Sequence, residues 1–220
     1  QVTKVTLART QKVRAFRGME YKVLKQAISK EVLEYLNYYT EEVAYKTKHC
    51  QGAERQNGSG KYFGNIEMAS SLPIASEDEN KKLYNIYTSK DMYNIVRKHI
   101  KKPYLFNDEI VVKRKEKHET STFNYDNSFL PITKGLKTIK LILVLDDLTD
   151  ENGTIEVYNG RFWLRLYPKA SDIVIINGDC VYKIEPNTTK IARKSYLCVY
   201  SNKPIGKYLK KGFYYNKFTK

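Results

Sequence analysis

The order of patterns along this chain predicts an α+β protein whose body is a β-sandwich or barrel. Two observations carry that expectation. Apolar residues recur at helical three- and four-residue steps in two segments of the first half. From Glu109 onward the pattern changes to short β-rich runs separated by turn residues. A chain of 220 residues is long enough to bury one substantial core, so a single domain is the default.

Residues 1–18 are basic and lack a clean period, so they read as an arm or extended lead-in. Residues 21–27 (YKVLKQA) are short and strand-like. Ser29 is a plausible helix N-cap with Glu31 in the first turn. Val32, Leu33, Leu36, Tyr39 and Val43 then predict an amphipathic helix to about Lys46. Residues 51–64, rich in Gly, Ser and Asn, predict a loop. A second helical segment spans 78–101, with Leu83, Ile86, Tyr87, Tyr93, Val96 and Ile100 on its apolar face. A break is expected near Ser89, and Pro103 closes the segment. Strands are expected at 110–114, 122–123, 138–145, 154–158, 162–166, 172–176, 180–184 and 195–200. The turns between them carry Asp150 to Gly153, Asn159–Gly160, Tyr167–Pro168, Asn177 to Asp179 and Pro186–Asn187.

Composition narrows the setting. Three cysteines, Cys50, Cys180 and Cys198, are far apart and odd in number, which argues against a secreted disulfide framework. No apolar run approaches the ~18 residues of a membrane span, and no stretch reads as a secretory signal. The expected setting is an intracellular reducing compartment, cytoplasmic or within a virion or other assembly. Charge is uneven: the net is +15, with +7 in residues 1–30, +6 in residues 203–220 and only +2 between. Two basic ends on a nearly neutral body suggest contact with something negative, such as nucleic acid, an acidic protein surface or anionic lipid. Simple solubility is the bland alternative.

Three phrases carry a family resemblance. YKVLKQAISKEVLEYLN is a strand-then-helix opening. KLILVLDDLTDENGTIEVYNGR is a core strand, an acidic turn and a second strand. NGDCVY places a Gly-Asp turn before another strand. In this order they resemble the phytanoyl-CoA dioxygenase-like branch of the iron(II)/2-oxoglutarate oxygenases, from about Tyr21 to Tyr200. The resemblance implies a double-stranded β-helix (jelly-roll) with N-terminal helices packed on one sheet. It divides the chain into a basic arm (1–20), an oxygenase-like domain (21–202) and a basic aromatic tail (203–220).

The resemblance also implies a facial triad of His-x-Asp plus a distal histidine, leaving iron positions open for 2-oxoglutarate and oxygen. Here Asn124 stands at the proximal histidine, Asp126 at the carboxylate, and Tyr182 at the distal histidine. The chain's histidines, His49, His99 and His118, all precede Asp126 and lack partners at ligand spacing, so each reads as an ordinary surface or packing residue. Arg193 and Ser195 match the Arg-x-Ser pair that grips the far carboxylate of 2-oxoglutarate, a task suited to a planar guanidinium. Alternatively, Arg193 pairs with an acid across the barrel or is exposed.

Other patterns are thinner. Asp146, Asp147, Asp150 and Glu151 suggest a solvated acidic corner rather than a cation site. The segment 56–60 (QNGSG) lacks the Gly-Lys-Ser/Thr ending of a P-loop, and no Gly-x-Ser-x-Gly elbow occurs. In the tail, Lys207, Lys210, Lys211, Tyr214 and Lys217 suit backbone neutralisation and base stacking on single-stranded nucleic acid. Docking, on another protein or on the chain's own barrel, is preferred, because Tyr208, Phe213, Tyr214 and Phe218 form an apolar strip.

The expectation is therefore a non-catalytic oxygenase-fold protein without a cofactor. It acts as a binding or assembly module in a larger complex, such as a nucleoprotein particle or virion. The alternative is an active 2-oxoglutarate-dependent hydroxylase with an atypical metal shell, in which Asp126 holds Fe(II).

Overall fold

The computed structural model describes residues 21–44, 66–69, 77–113, 122–124, 135–178, 180–203 and 216–217. The chain opens with strand β1 (Tyr21–Leu24) and helix α1 (Lys30–Tyr38), which passes into a π-helical turn (Tyr39–Ala44). Strand β2 (Ile66–Ala69), helices α2 (Glu77–Tyr87) and α3 (Lys90–Val96) and the long strand β3 (Tyr104–Lys113) follow. The β-rich half contains β4 (Thr122–Asn124), β5 (Thr138–Val144), β6 (Ile155–Tyr158), β7 (Trp163–Leu166), β8 (Ile173–Asn177), β9 (Tyr182–Ile184), β10 (Arg193–Ser201) and β11 (Asn216–Lys217).

The helix ends are set locally. Ser29 Oγ accepts from Val32 N at 3.3 Å, and Ser89 Oγ accepts from Met92 N at 3.2 Å. Each serine satisfies a donor that the first turn leaves unpaired. The second cap turns the break expected near Ser89 into a true boundary, so the 78–101 segment is two helices. Helix α1 stops earlier than the periodicity predicts. Thr40 Oγ1 donates to the Leu36 carbonyl at 2.7 Å, competing with the backbone ladder where the α-helix gives way to the wider turn. Thr40 Oγ1 also lies 3.2 Å from the Tyr196 hydroxyl on β10, so this turn is fixed to the sheet. The 51–64 loop expectation lies outside the described residues.

The strands form two antiparallel sheets. The larger has the order β1-β8-β5-β10-β3-β11, with β2 also paired to β3; the smaller runs β4-β9-β6-β7. Strand β5 explains the layering. It is buried along its whole length, and successive side chains point to opposite faces. Ile139, Leu141 and Leu143 join Leu36, Tyr39, Leu83, Tyr87, Val96 and the β10 tyrosines Tyr196 and Tyr200 in a core under the helices. Ile142 and Val144 join Ile155, Val157, Leu166, Val174, Ile176 and Tyr182 in a second core between the sheets. Helices on one face of an antiparallel pair of sheets confirm the α+β expectation.

Several strand bounds differ from the expectation. Strand β3 begins at Tyr104, not near Glu109, because its pairing with β10 extends to Ser201↔Tyr104. Asn107 and Asp108 have poor strand propensity, and the ladder overrides it. Strand β2 was not expected; its four residues are ordered by pairing Ile66–Ala69 with Lys113–Ile110. Strand β11 lies within the expected tail and pairs Asn216 and Lys217 with Leu105 and Tyr104.

Asp172 ties the chain's start to the sheet. Its buried carboxylate accepts from Gln26 N (2.9 Å), Lys169 N (2.8 Å) and Lys25 Nζ (2.8 Å). Burial pushes its pKa up, but the Lys25 contact and the two backbone donors outweigh burial and hold it below the usual value. Cys180 and Cys198 are both buried, in different cores on either side of the large sheet. Among the described residues no helix is long and apolar enough to cross a membrane.

Candidate functional site

Of the positions singled out by sequence, Tyr182, Arg193 and Ser195 face the space between the sheets. In the small sheet Asn124 on β4 stands directly opposite Tyr182 on β9. Tyr182 is 2% exposed, and its ring packs in the inter-sheet core beside Ile184. On β10, Tyr196, Cys198 and Tyr200 turn toward the helices, so the alternate positions Arg193, Ser195 and Leu197 fall on the inter-sheet side. Asp126, Lys207, Lys210, Lys211 and Tyr214 lie outside the described residues. Lys217 is on β11.

A residue not anticipated from sequence completes the site. Lys140 shares the phase of Ile142 and Val144 on β5, which places it on the inter-sheet side, 4% exposed. Its ammonium donates to the Tyr182 hydroxyl and lies 4.5 Å from the centroid of that ring. The phenol oxygen thus accepts a charge-assisted hydrogen bond. One signal existed in the sequence, a lone lysine inside the apolar run TIKLILV. Which side of the sheet it occupies follows only from the register.

Arg193 and Ser195 form the other end of the site. Arg193 is 3% exposed, and its Nη1 donates to the carbonyl of Gly153. This excludes the exposed position considered from sequence, and burial favours bracing a backbone carbonyl. Gly153 has φ +90°, and a Cβ there would run into the Glu185 and Pro186 carbonyls, so the close approach of these turns requires glycine. With Ile142, Val144, Leu148, Ile155 and Ile184, Arg193 and Ser195 line a cavity of about 10 Å³, room for roughly one water.

The acidic corner is not simply solvated. Asp146 accepts from Lys194 N at 2.7 Å, and Asp147 accepts from Ala170 N at 2.8 Å. Burial raises the Asp146 pKa against the opposing pull of Lys194, whereas the Ala170 N–H lowers that of Asp147. Asp150 pairs with Arg165 at 2.8 Å and accepts from the Tyr167 hydroxyl at 2.8 Å. Long-range donors thus recruit these carboxylates as loop clamps. On the outer face of the small sheet, Glu156 was also missed from sequence. It pairs with its cross-strand neighbours Arg165 and Lys183, each at 2.7 Å.

The described part of this arrangement is a poor setting for the metal ion that the resemblance implies. At the distal position Tyr182 offers a phenol already bonded to an ammonium, a poor setting for a divalent cation. His99, the one histidine among the described residues, is exposed just beyond α3, with its pKa lowered by partial burial and by Lys22 and Lys98. Among the described residues no group of three or more His, Cys, Asp or Glu is placed to hold a metal ion. Arg193 and Ser195 match a carboxylate-binding pair in kind.

Comparison with known proteins shows the class of fold. The chain shares the fold of non-haem 2-oxoglutarate-dependent oxygenases. No family model and no curated protein matches it. Among solved structures it is similar to the α-ketoglutarate-dependent carbocyclase SnoK of nogalamycin biosynthesis, with a TM-score of 0.65 and 16% identity over 83% of this chain and 79% of that one. HygX from Streptomyces hygroscopicus, solved with nickel and 2-oxoglutarate bound, gives 0.60 and 13% identity, covering 82% of each chain. EvdO2 from Micromonospora carbonacea var. aurantiaca, complexed with 2-oxoglutarate, gives 0.58 and 11% identity over 84% of this chain and 87% of that one. At such identities the likeness is one of fold, and the function has to be argued from the site.

Proposed function

We propose that this chain is a non-catalytic protein with a double-stranded β-helix (jelly-roll) body of the phytanoyl-CoA dioxygenase-like type, which serves as a binding or assembly module. The observation that carries this reading is the Lys140–Tyr182 contact opposite Asn124, at positions where the resemblance calls for imidazoles. An ammonium on the would-be ligand opposes a metal ion, and an amide is a poor replacement for an imidazole. Function then falls to the surface. The +7 and +6 ends are the attachment points for an acidic protein surface or nucleic acid within a larger assembly, including a nucleoprotein particle or virion.

Titration of the purified protein with Fe(II) or Mn(II), with and without 2-oxoglutarate, tests the reading. We expect no stoichiometric uptake. Uptake that is lost in Asp126→Ala would instead establish the hydroxylase alternative. A rise in melting temperature with 2-oxoglutarate alone, lost in Arg193→Ala, would make the protein a metabolite binder.

A further inference from the structure

The chain carries a buried lysine in a place where packing alone does not call for one. A methionine would fill a similar volume in β5 without the desolvation penalty of an ammonium. Nor does Lys140 escape to solvent by its flexible stem, since it is 4% exposed and its Nζ sits over the Tyr182 ring. Strand β5 lies in the middle of the large sheet, where Lys140 is flanked by Ile176 on β8 and Val199 on β10. Tyr182 belongs to the small sheet, flanked by Asn124 on β4 and Val157 on β6. The ammonium–phenol contact therefore crosses the inter-sheet space and joins the two sheets by a directional bond inside a largely apolar core.

We infer that Lys140 is a built-in cation that takes the place of a metal ion: its ammonium, bonded to Tyr182, supplies the positive charge and the cross-sheet link at the centre of the fold. This rests on the non-catalytic reading and adds how the body dispenses with a metal. A metal ion ties strands together by drawing several donors onto one charge, and the lysine performs that task with one covalent tether on β5. The site is closed from within, and the donor at the Tyr182 position is already engaged.

A double-mutant cycle tests the inference, with Lys140→Met, Tyr182→Phe and the double variant compared by thermal unfolding. Each single change removes the cross-sheet hydrogen bond. Each is expected to lower Tm by roughly 3–10 °C. The double variant should lose no more than the worse single, because both ends of one interaction are then gone. Losses that add, or a Tyr182→Phe variant as stable as the parent, would overturn the inference. Tyr182→Phe keeps the ring, so it decides the matter even if Lys140→Met does not fold. Mn(II) titration of the parent separates the two levels. Stoichiometric uptake would sink both the non-catalytic reading and this one, whereas no uptake with an additive cycle would sink only the built-in cation.

Discussion

At the scale of single residues, the side chains that matter most are polar groups placed where water is absent. Asp172 is 1% exposed and holds three donors from two loops. Its folded-state pKa is depressed, so its contribution is fully present above the unfolded value near 4 and is lost as pH falls through the lower folded value. Asp172→Asn should cost about 1–3 kcal/mol at neutral pH. The gap between variant and parent should close on acidification below pH ~4, which urea unfolding at stepped pH would measure. A gap independent of pH would rule out the carboxylate charge as its source. Sequence reading located Tyr182, Arg193 and Ser195 but missed Lys140 and Glu156. A strand buried on both faces shows no alternation, so a charge within it says nothing about which side it faces. The acidic corner is largely exposed, as read. Its clamping bonds were not legible, since the donors to Asp146 and Asp147 come from residues 48 and 23 positions away.

At the scale of elements, local chemistry set the helix starts and long-range pairing set the strand ends. Both serine caps were legible because capping acts over three residues. Ser89→Ala should cost about 1 kcal/mol, lowering Tm by roughly 2–4 °C, because it removes the acceptor for Met92 N. Ser89→Gly should cost only a few tenths. A calorimetric series of the two variants would check the order; equal losses would mean that the cap is not the cause. The strand cores at residues 138–144 and 173–177 were readable as apolar runs. Strands β2 and β11 and the first half of β3 were not, since they exist through partners remote in sequence.

At the scale of the whole molecule, the two-core layering separates structure from charge. Residues 31–202 carry a net charge of only +2, and the excess sits on either side of them. If those ends neutralise phosphates, replacing Lys207, Lys210, Lys211 and Lys217 with alanine should flatten the plot of log affinity against log salt for a single-stranded oligonucleotide. The expected change in slope is about 3. An unchanged slope would assign the tail to docking on protein instead. Fold class was legible in the sequence because helical periodicity gave way once to short strands. The partner was not, since charge attracts any polyanion.

The strand order gives the two ends a fixed spacing. Strand β1, which begins at Tyr21 directly after the basic arm, forms one edge of the large sheet, and β11, inside the basic tail, forms the other. Five inter-strand steps of about 4.8 Å set these anchor points roughly 24 Å apart. If the basic ends are attachment points, as proposed, the body acts as a spacer between them. A long polyanion or a repeating acidic lattice can engage both at once, and the second contact then forms at high effective concentration. A short ligand reaches only one, so the assembly would respond to the length of its partner more than to its sequence.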